Sequence, residues 1–135
     1  MIRTPNLCSL IVGVVLASAL ALSATSNGGW LAKVPAGEHE KANPYHEQPD
    51  AIAAGQRVFH DHCAHCHGDD AEGTKKRPSL RSERVQQQAT EGDLHWLLKN
   101  GSMGYGMPTW SKLGDPQIWQ VVTYVKSLHQ EQATR

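Results

Sequence analysis

The stretch "HDHCAHCHG", residues 60–68, decides how this chain is interpreted. Positions 60–67 hold two cysteines and four histidines. Three kinds of site use such a cluster: a zinc site, a redox-active dithiol, and an attachment site for haem. The remainder of the chain must discriminate among them.

The centre of the stretch is "CAHCH", Cys63 to His67. Covalent haem attachment needs two thiols close enough to add to two vinyl groups of one porphyrin. It also needs a histidine beside the second thiol to bind the iron. The spacing C-x-x-C-H meets both needs and is typical of c-type haem attachment. We therefore expect one haem c bound through Cys63 and Cys66, with His67 as an iron ligand.

The two alternatives require more than the chain offers. A zinc site usually has four nitrogen or sulfur ligands, often with a second pair some distance away. His60, His62 and His65 supply nitrogens, but the only other cysteine is Cys8, near the N-terminus. A thioredoxin-like dithiol is expected beside a βαβ pattern, whereas the segment before the motif has a helical pattern.

The N-terminus has the features of an export signal. Arg3 precedes an uncharged apolar run from Leu7 to Leu22, and small residues follow it. We predict a signal peptide over residues 1–24. The alternative is an uncleaved membrane anchor, because the stretch from Leu7 to Ala24 is at the short edge of the roughly 17–25 residues that span a bilayer. In either case the remainder is exported, which predicts a periplasmic protein that is soluble or tethered to the inner membrane.

Composition restricts the remaining choices. Lys plus Arg and Asp plus Glu are both 13, so no basic field points to nucleic acid.

Residues 25–49 contain Gly, Pro and polar residues without apolar periodicity, and are predicted to form a flexible linker before a domain at 50–131.

The domain is predicted to be all-α with large loops. Three helices are expected, with Asp50, Asp93 and Asp115 as their N-caps. The first runs to the cysteine cluster and the second ends at Gly101. The segment 69–90, with many charges and Pro78, is expected to be mostly loop.

A glycine-rich loop is predicted to supply a second iron ligand, Met107. Met107 lies in "YGMPTW", 40 residues after His67, where Pro108 stiffens the backbone and the neighbouring glycines permit close approach to a macrocycle. A thioether ligand raises the reduction potential of haem. An isolated methionine more often only fills a gap in the core, but the spacing from His67 and the following proline favour Met107 as a ligand. Met103 is the alternative ligand.

Taken in order, "AAGQRVFHDHCAHCHGDDAEGT", "RPSL", "GMPTW" and "DPQIWQVVTYVKSL" resemble the bacterial class I cytochromes c, small exported proteins with one haem. The resemblance covers residues 50–129. It implies about four helices wrapped around one covalent haem, with the first and last helices crossing. Gly55 and Phe59 match the crossing positions of the first helix and Tyr124 the aromatic residue of the last. Pro78 matches the proline whose carbonyl accepts a hydrogen bond from the proximal histidine.

Other residues are weaker candidates. The Arg- and Gln-rich stretch "RSERVQQQATEGD" that follows Pro78 shows no feature of the family that can be aligned. We consider Arg77, Arg81, Arg84 and Trp110 as partners of the haem propionates, and Trp96 and Tyr105 as lining of the haem pocket. His60, His62 and His65 are expected to lie on the surface as bystanders.

The function expected from the resemblance is single-electron transfer without a catalytic residue. The protein is then a shuttle, or the electron-accepting subunit of a dehydrogenase or an oxidase, with redox proteins as its partners. The alternative from another class is a haem enzyme or gas sensor whose sixth ligand position is open or displaceable.

Overall fold

The computed structural model describes residues 29–133. The predicted export segment, residues 1–24, and Cys8 within it lie outside the described residues. The described part is helical without a β-strand, which confirms the all-α prediction. Its five α-helices are α1 (Ala36–His39), α2 (Pro49–His62), α3 (Ala64–His67), α4 (Glu91–Asn100) and α5 (Asp115–Ala133). Shorter turns are 3₁₀ at Leu31–Lys33, Met103–Tyr105 and Ser111–Leu113, and π-helical at Arg84–Gln88.

The crossing of α2 and α5 forms the centre of the fold. Gly55 of α2 lies so close to α5 that a Cβ there would overlap the carbonyl oxygen of Gln120. One turn later, Phe59 is fully buried against Tyr124, with ring centroids 5.3 Å apart. Glycine thus permits the close approach and the aromatic pair fills the space beside it. The roles predicted for Gly55, Phe59 and Tyr124 agree with this packing.

The helices begin slightly earlier than the sequence predicted. Helix α2 starts at Pro49 with Gln48 as its N-cap, so Asp50 lies in the first turn. The N-cap of α4 is Thr90, and Asp93 closes a capping box by accepting from the backbone N–H of Thr90 at 2.8 Å. Asp115 is the first residue of α5. An aspartate within the first turn favours a helix as a cap does, because it faces the positive end of the helix dipole.

The segment predicted to be loop contains a turn of π-helix at Arg84–Gln88. Gln86 is buried, and its side-chain amide donates to the carbonyls of Leu80 and Val125 at 2.6 and 2.9 Å. The ammonium of Lys126 donates to three carbonyls at the end of this turn, those of Val85, Gln86 and Ala89. These polar side chains donate hydrogen bonds to backbone carbonyls in and around this turn. No helical periodicity in the sequence had indicated a turn here.

Residues 29–48, termed here the N-terminal strap, are folded against the domain, in contrast to the flexible linker predicted there. Trp30 is 8% exposed and belongs to the hydrophobic core. Asn43 is also buried, and its amide donates to the hydroxyl of Thr123 in α5 at 2.8 Å. The helices found within residues 29–133 include none with the length and apolar character needed to cross a membrane.

Candidate functional site

The two cysteines and the histidine lie at the junction of α2 and α3. Cys63 ends α2 and precedes the single turn of α3, in which the backbone N–H groups of Cys66 and His67 donate to the carbonyl of Cys63 at 3.1 and 3.0 Å. This turn brings the three side chains to one side of the chain. The spacing C-x-x-C-H is therefore presented as one compact unit.

One cavity is bordered by all three side chains and by Met107. The cavity is partly open to solvent. Most of its wall is apolar and comes from α2, α4, α5 and the loops between them; this wall includes Phe59, Leu80, Val85, Leu94, Leu97, Leu98, Val121 and Val125. A large apolar cavity with a few converging polar groups is typical of a cofactor site. The residues present therefore fit a haem attached at Cys63 and Cys66.

The imidazole of His67 is oriented by a backbone acceptor. Its Nδ1 lies 3.0 Å from the carbonyl oxygen of Pro78, so Nδ1–H donates this hydrogen bond. The lone pair of Nε2 is then available to a metal. Burial lowers the pKa of His67, while the bond to Pro78 opposes that shift. A low pKa keeps the ring neutral at pH 7, which is the form that binds a metal.

Met107 is carried by a tight loop. The backbones of Ser102 and Met107 are joined by two hydrogen bonds, Ser102 N–H to Met107 O at 2.7 Å and Met107 N–H to Ser102 O at 3.1 Å. Gly106 has a φ of 72°, a conformation that glycine adopts easily. The half-buried side chain of Met107 borders the cavity, whereas Met103 at the loop tip is 75% exposed. Of the two methionines considered as ligands, the fold brings Met107 to the attachment unit.

The geometry gives little support to the zinc and dithiol alternatives. Within residues 29–133, no group of three or more His, Cys, Asp or Glu side chains is arranged to hold a metal ion. Burial, together with the neighbouring Cys66, raises the pKa of the free Cys63 thiol to about 11. A redox-active dithiol needs a thiol that ionises readily, so the surroundings of Cys63 disfavour that chemistry.

The weaker candidates divide into two groups. Arg77, Tyr105 and Trp110 border the cavity, and Arg77 donates to the carbonyl of Tyr105 at 2.9 Å, joining the Pro78 loop to the Met107 loop. In the described part of the chain, Arg81, Arg84 and Trp96 are not among the lining residues. Arg81 instead donates to the backbone carbonyls of Asp70 and Leu128.

His62 and Trp30 are among the lining residues that the sequence reasoning did not assign to the cavity. His62 is exposed, as expected, but it also borders the cavity, with its ring centroid 5.6 Å from that of Trp110. Trp30 of the strap also borders the cavity. No periodicity marked Trp30, because it lies in a segment of Gly, Pro and polar residues. Its size and apolar character in such a segment were the only signal.

Comparison with known proteins identifies relatives over the domain. A family model described as cytochrome c oxidase, cbb3-type, subunit III matches residues 50–125. The cbb3-type cytochrome c oxidase subunit CcoP of Rubrivivax gelatinosus is 34% identical over 83 residues, which are 61% of this chain and 27% of that protein. CcoP of Rhodobacter capsulatus is 36% identical over 87 residues, 56% of this chain and 28% of the relative. Subunit FixP of Sinorhizobium medicae is 32% identical over 83 residues, 60% and 29% of the two chains.

The chain thus spans less than a third of the length of these relatives. The family match nevertheless covers more than half of this chain. It extends from α2 through the attachment unit and the methionine loop into α5. The resemblance to bacterial c-type cytochromes is confirmed, and the chain belongs to the family of cytochrome c oxidase, cbb3-type, subunit III.

Proposed function

We propose that this protein transfers single electrons through one haem c, attached at Cys63 and Cys66 and ligated by His67 and Met107. The observation that carries the proposal is a single apolar cavity bordered by both thiols, by the oriented imidazole and by one thioether. When bound, haem c supplies one-electron redox chemistry at its iron. The protein's residues supply attachment, orientation and the exclusion of water.

Each residue has a separate task in this proposal. The two thiols hold the cofactor covalently, so it is retained in both redox states. The carbonyl of Pro78 fixes the imidazole of His67 and increases its basicity. The thioether of Met107 would be the second iron ligand and would raise the reduction potential, since a soft thioether favours reduced iron.

The partner is proposed to be an oxidase of the cbb3 type, with the protein as an electron-carrying subunit rather than a free shuttle. Support comes from the names of the relatives, which are subunits of cbb3-type cytochrome c oxidases. The proposal also places the domain in the periplasm, where c-type haem is attached, with the N-terminal segment as signal or anchor. Isolation from membranes together with the catalytic subunits of such an oxidase is the expected result; isolation as a free monomer would favour a shuttle.

The test of the cofactor combines the pyridine haemochrome spectrum with the intact mass of the exported protein. We expect the spectrum of haem bound through two thioethers and a mass increase equal to one haem. The mass also reports whether residues 1–24 are removed. A second haem, or a haem extracted by acidified solvent, would contradict the proposal.

The haem-enzyme and gas-sensor alternative differs in the sixth ligand. If Met107 is bound to iron, the reduced protein takes up carbon monoxide slowly and the ferric spectrum is low-spin at neutral pH. A high-spin ferric spectrum, or rapid carbon monoxide binding by the reduced protein, would favour the alternative.

A further inference from the structure

Trp30 lines the cavity but lies outside the region that the family model matches. The family match begins at residue 50, whereas Trp30 lies 20 positions upstream. Its side chain is 8% exposed and borders the same cavity as Cys63, Cys66, His67 and Met107. A large apolar ring in this position excludes water from the space assigned to the cofactor.

The strap that carries Trp30 is fastened at its other end by polar contacts. His39 pairs with the fully buried carboxylate of Asp93 at 2.9 Å, and its carbonyl accepts from the hydroxyl of Thr90 at 2.8 Å. The amide of Asn43 donates to Thr123 and to Glu91 at 2.8 and 2.9 Å. Since Asn43 and Asp93 are buried, detaching the strap would break hydrogen bonds that are shielded from water, and these bonds contribute to holding the strap on the domain.

Close backbone packing adds to these bonds. Gly92 of α4 lies beneath α1, and a Cβ at Gly92 would overlap the carbonyl oxygen of Glu38. The obstacle is main chain, so it cannot be relieved by a side-chain rotation. The strap is therefore seated on α4 by a contact that only glycine permits.

We propose that the strap forms part of the cofactor pocket, with Trp30 as a positioning residue that shields the bound haem from water and raises its reduction potential. The inference rests on the proposed function. Oxidised haem carries one more positive charge than reduced haem, so excluding water disfavours the oxidised form. The close backbone contact at Gly92 and the hydrogen bonds of Asn43 and His39 hold the strap against the domain. They therefore determine whether Trp30 stays in the cavity wall.

The first experiment measures the reduction potential of the full-length haem-loaded protein with Trp30→Ala and Trp30→Phe. For the alanine variant we expect the potential to fall by about 59 mV, which is about a tenfold rise in the ratio of oxidised to reduced protein at fixed ambient potential. The phenylalanine variant should recover most of the difference, because it restores the apolar shield. An unchanged potential in Trp30→Ala would overturn the inference.

The second experiment displaces the strap without touching the cavity. Gly92→Ala should lower the potential in the same direction as Trp30→Ala and should speed hydrogen exchange of the amides in residues 29–48. Helix propensity does not explain such a result, because alanine favours a helix more than glycine does. The matched control is Gly37→Ala on the strap itself, where a Cβ meets nothing within 4 Å; both readouts should stay at the wild-type level.

The outcomes separate the two proposals. Faster hydrogen exchange of the strap amides in Gly92→Ala, with an unchanged reduction potential, would show that the strap has only a structural role. This result would overturn the inference but not the proposed function. Wild-type protein that carries no covalent haem by the haemochrome assay would overturn the proposed function, and the inference with it.

Discussion

Met103 and Met107 are four residues apart, yet one loop gives them opposite surroundings. Two backbone hydrogen bonds between Ser102 and Met107 hold the base of the loop, so Met107 stays at the cavity while Met103 is displayed at the tip. The difference between the two thioethers is therefore set by the backbone. Their chemistry is identical.

The loop predicts unequal effects of two matched substitutions. Met107→Ala should lower the reduction potential and allow the reduced protein to bind carbon monoxide rapidly, because the variant lacks the thioether proposed to bind the iron. Met103→Ala should leave both properties near those of the wild type. Redox titration and carbon monoxide binding measure the two effects, and the reverse order would show that Met103 is the ligand.

His95 is a second residue whose surroundings determine its behaviour. Its ring is fully buried and stacked on Trp119, with centroids 3.9 Å apart, and neither ring nitrogen has a hydrogen-bond partner. Asp115 lies 3.5 Å from Nε2, at the range of an ion pair, and Lys41 and Lys99 oppose a positive charge there. Burial lowers the pKa of His95, so the folded protein holds the ring neutral.

This burial predicts a loss of stability in acid. The unfolded chain protonates His95 at a pKa of about 6.5, whereas the folded chain does so only at a lower pH. The stabilisation is thus complete above about pH 6.5 and is lost as the pH falls below it. In His95→Phe, the free energy of unfolding should fall less between about pH 7 and pH 5.

Urea unfolding at several pH values measures this effect. Replacement of the exposed His129 by Gln serves as the control and should keep the pH dependence of the wild type. Equal pH dependence in His95→Phe and the wild type would show that other groups cause the acid sensitivity.

At the scale of elements, the fold depends on how closely α2 and α5 approach. Helix propensity and packing act in opposite directions at Gly55. Alanine in a helix interior is favoured over glycine by roughly 0.5–1 kcal/mol. The Cβ would nevertheless lie 2.9 Å from that of Tyr124 and would overlap the Gln120 carbonyl. Overpacking of this kind costs about 1–3 kcal/mol or more, which exceeds the gain in helix propensity. The net effect of alanine on stability is therefore expected to be unfavourable.

Gly55→Ala is therefore expected to destabilise the protein by about 1–3 kcal/mol, despite the gain in helix propensity. Thermal or urea unfolding of the haem-loaded protein measures it. Gln56→Ala, at the next and exposed position of α2, is the control and should be close to neutral. A Gly55→Ala variant as stable as the wild type would mean that the helices can separate without cost.

The whole molecule shows where sequence reasoning succeeds and where it stops. The grouping of Cys63, Cys66 and His67 and the all-α fold were predictable because each depends on a short spacing or on helical periodicity. The crossing of α2 and α5 was implied by the resemblance to the class I cytochromes c. The π turn at Arg84–Gln88 was not, because its backbone is satisfied by Gln86 and Lys126, which lie far apart in the chain. The strap was missed for the same reason: its partners, Thr90, Asp93 and Thr123, are distant in sequence.

The seating of residues 29–48 on α4 and α5 changes where this protein should be divided. The family match begins at residue 50, and a fragment cut there would retain the complete C-x-x-C-H motif and the methionine loop. It would lose Trp30 and would expose the buried carboxylate of Asp93 and the apolar interior to solvent. In this chain the packed unit includes residues 29–48, which lie outside the region that the family model matches.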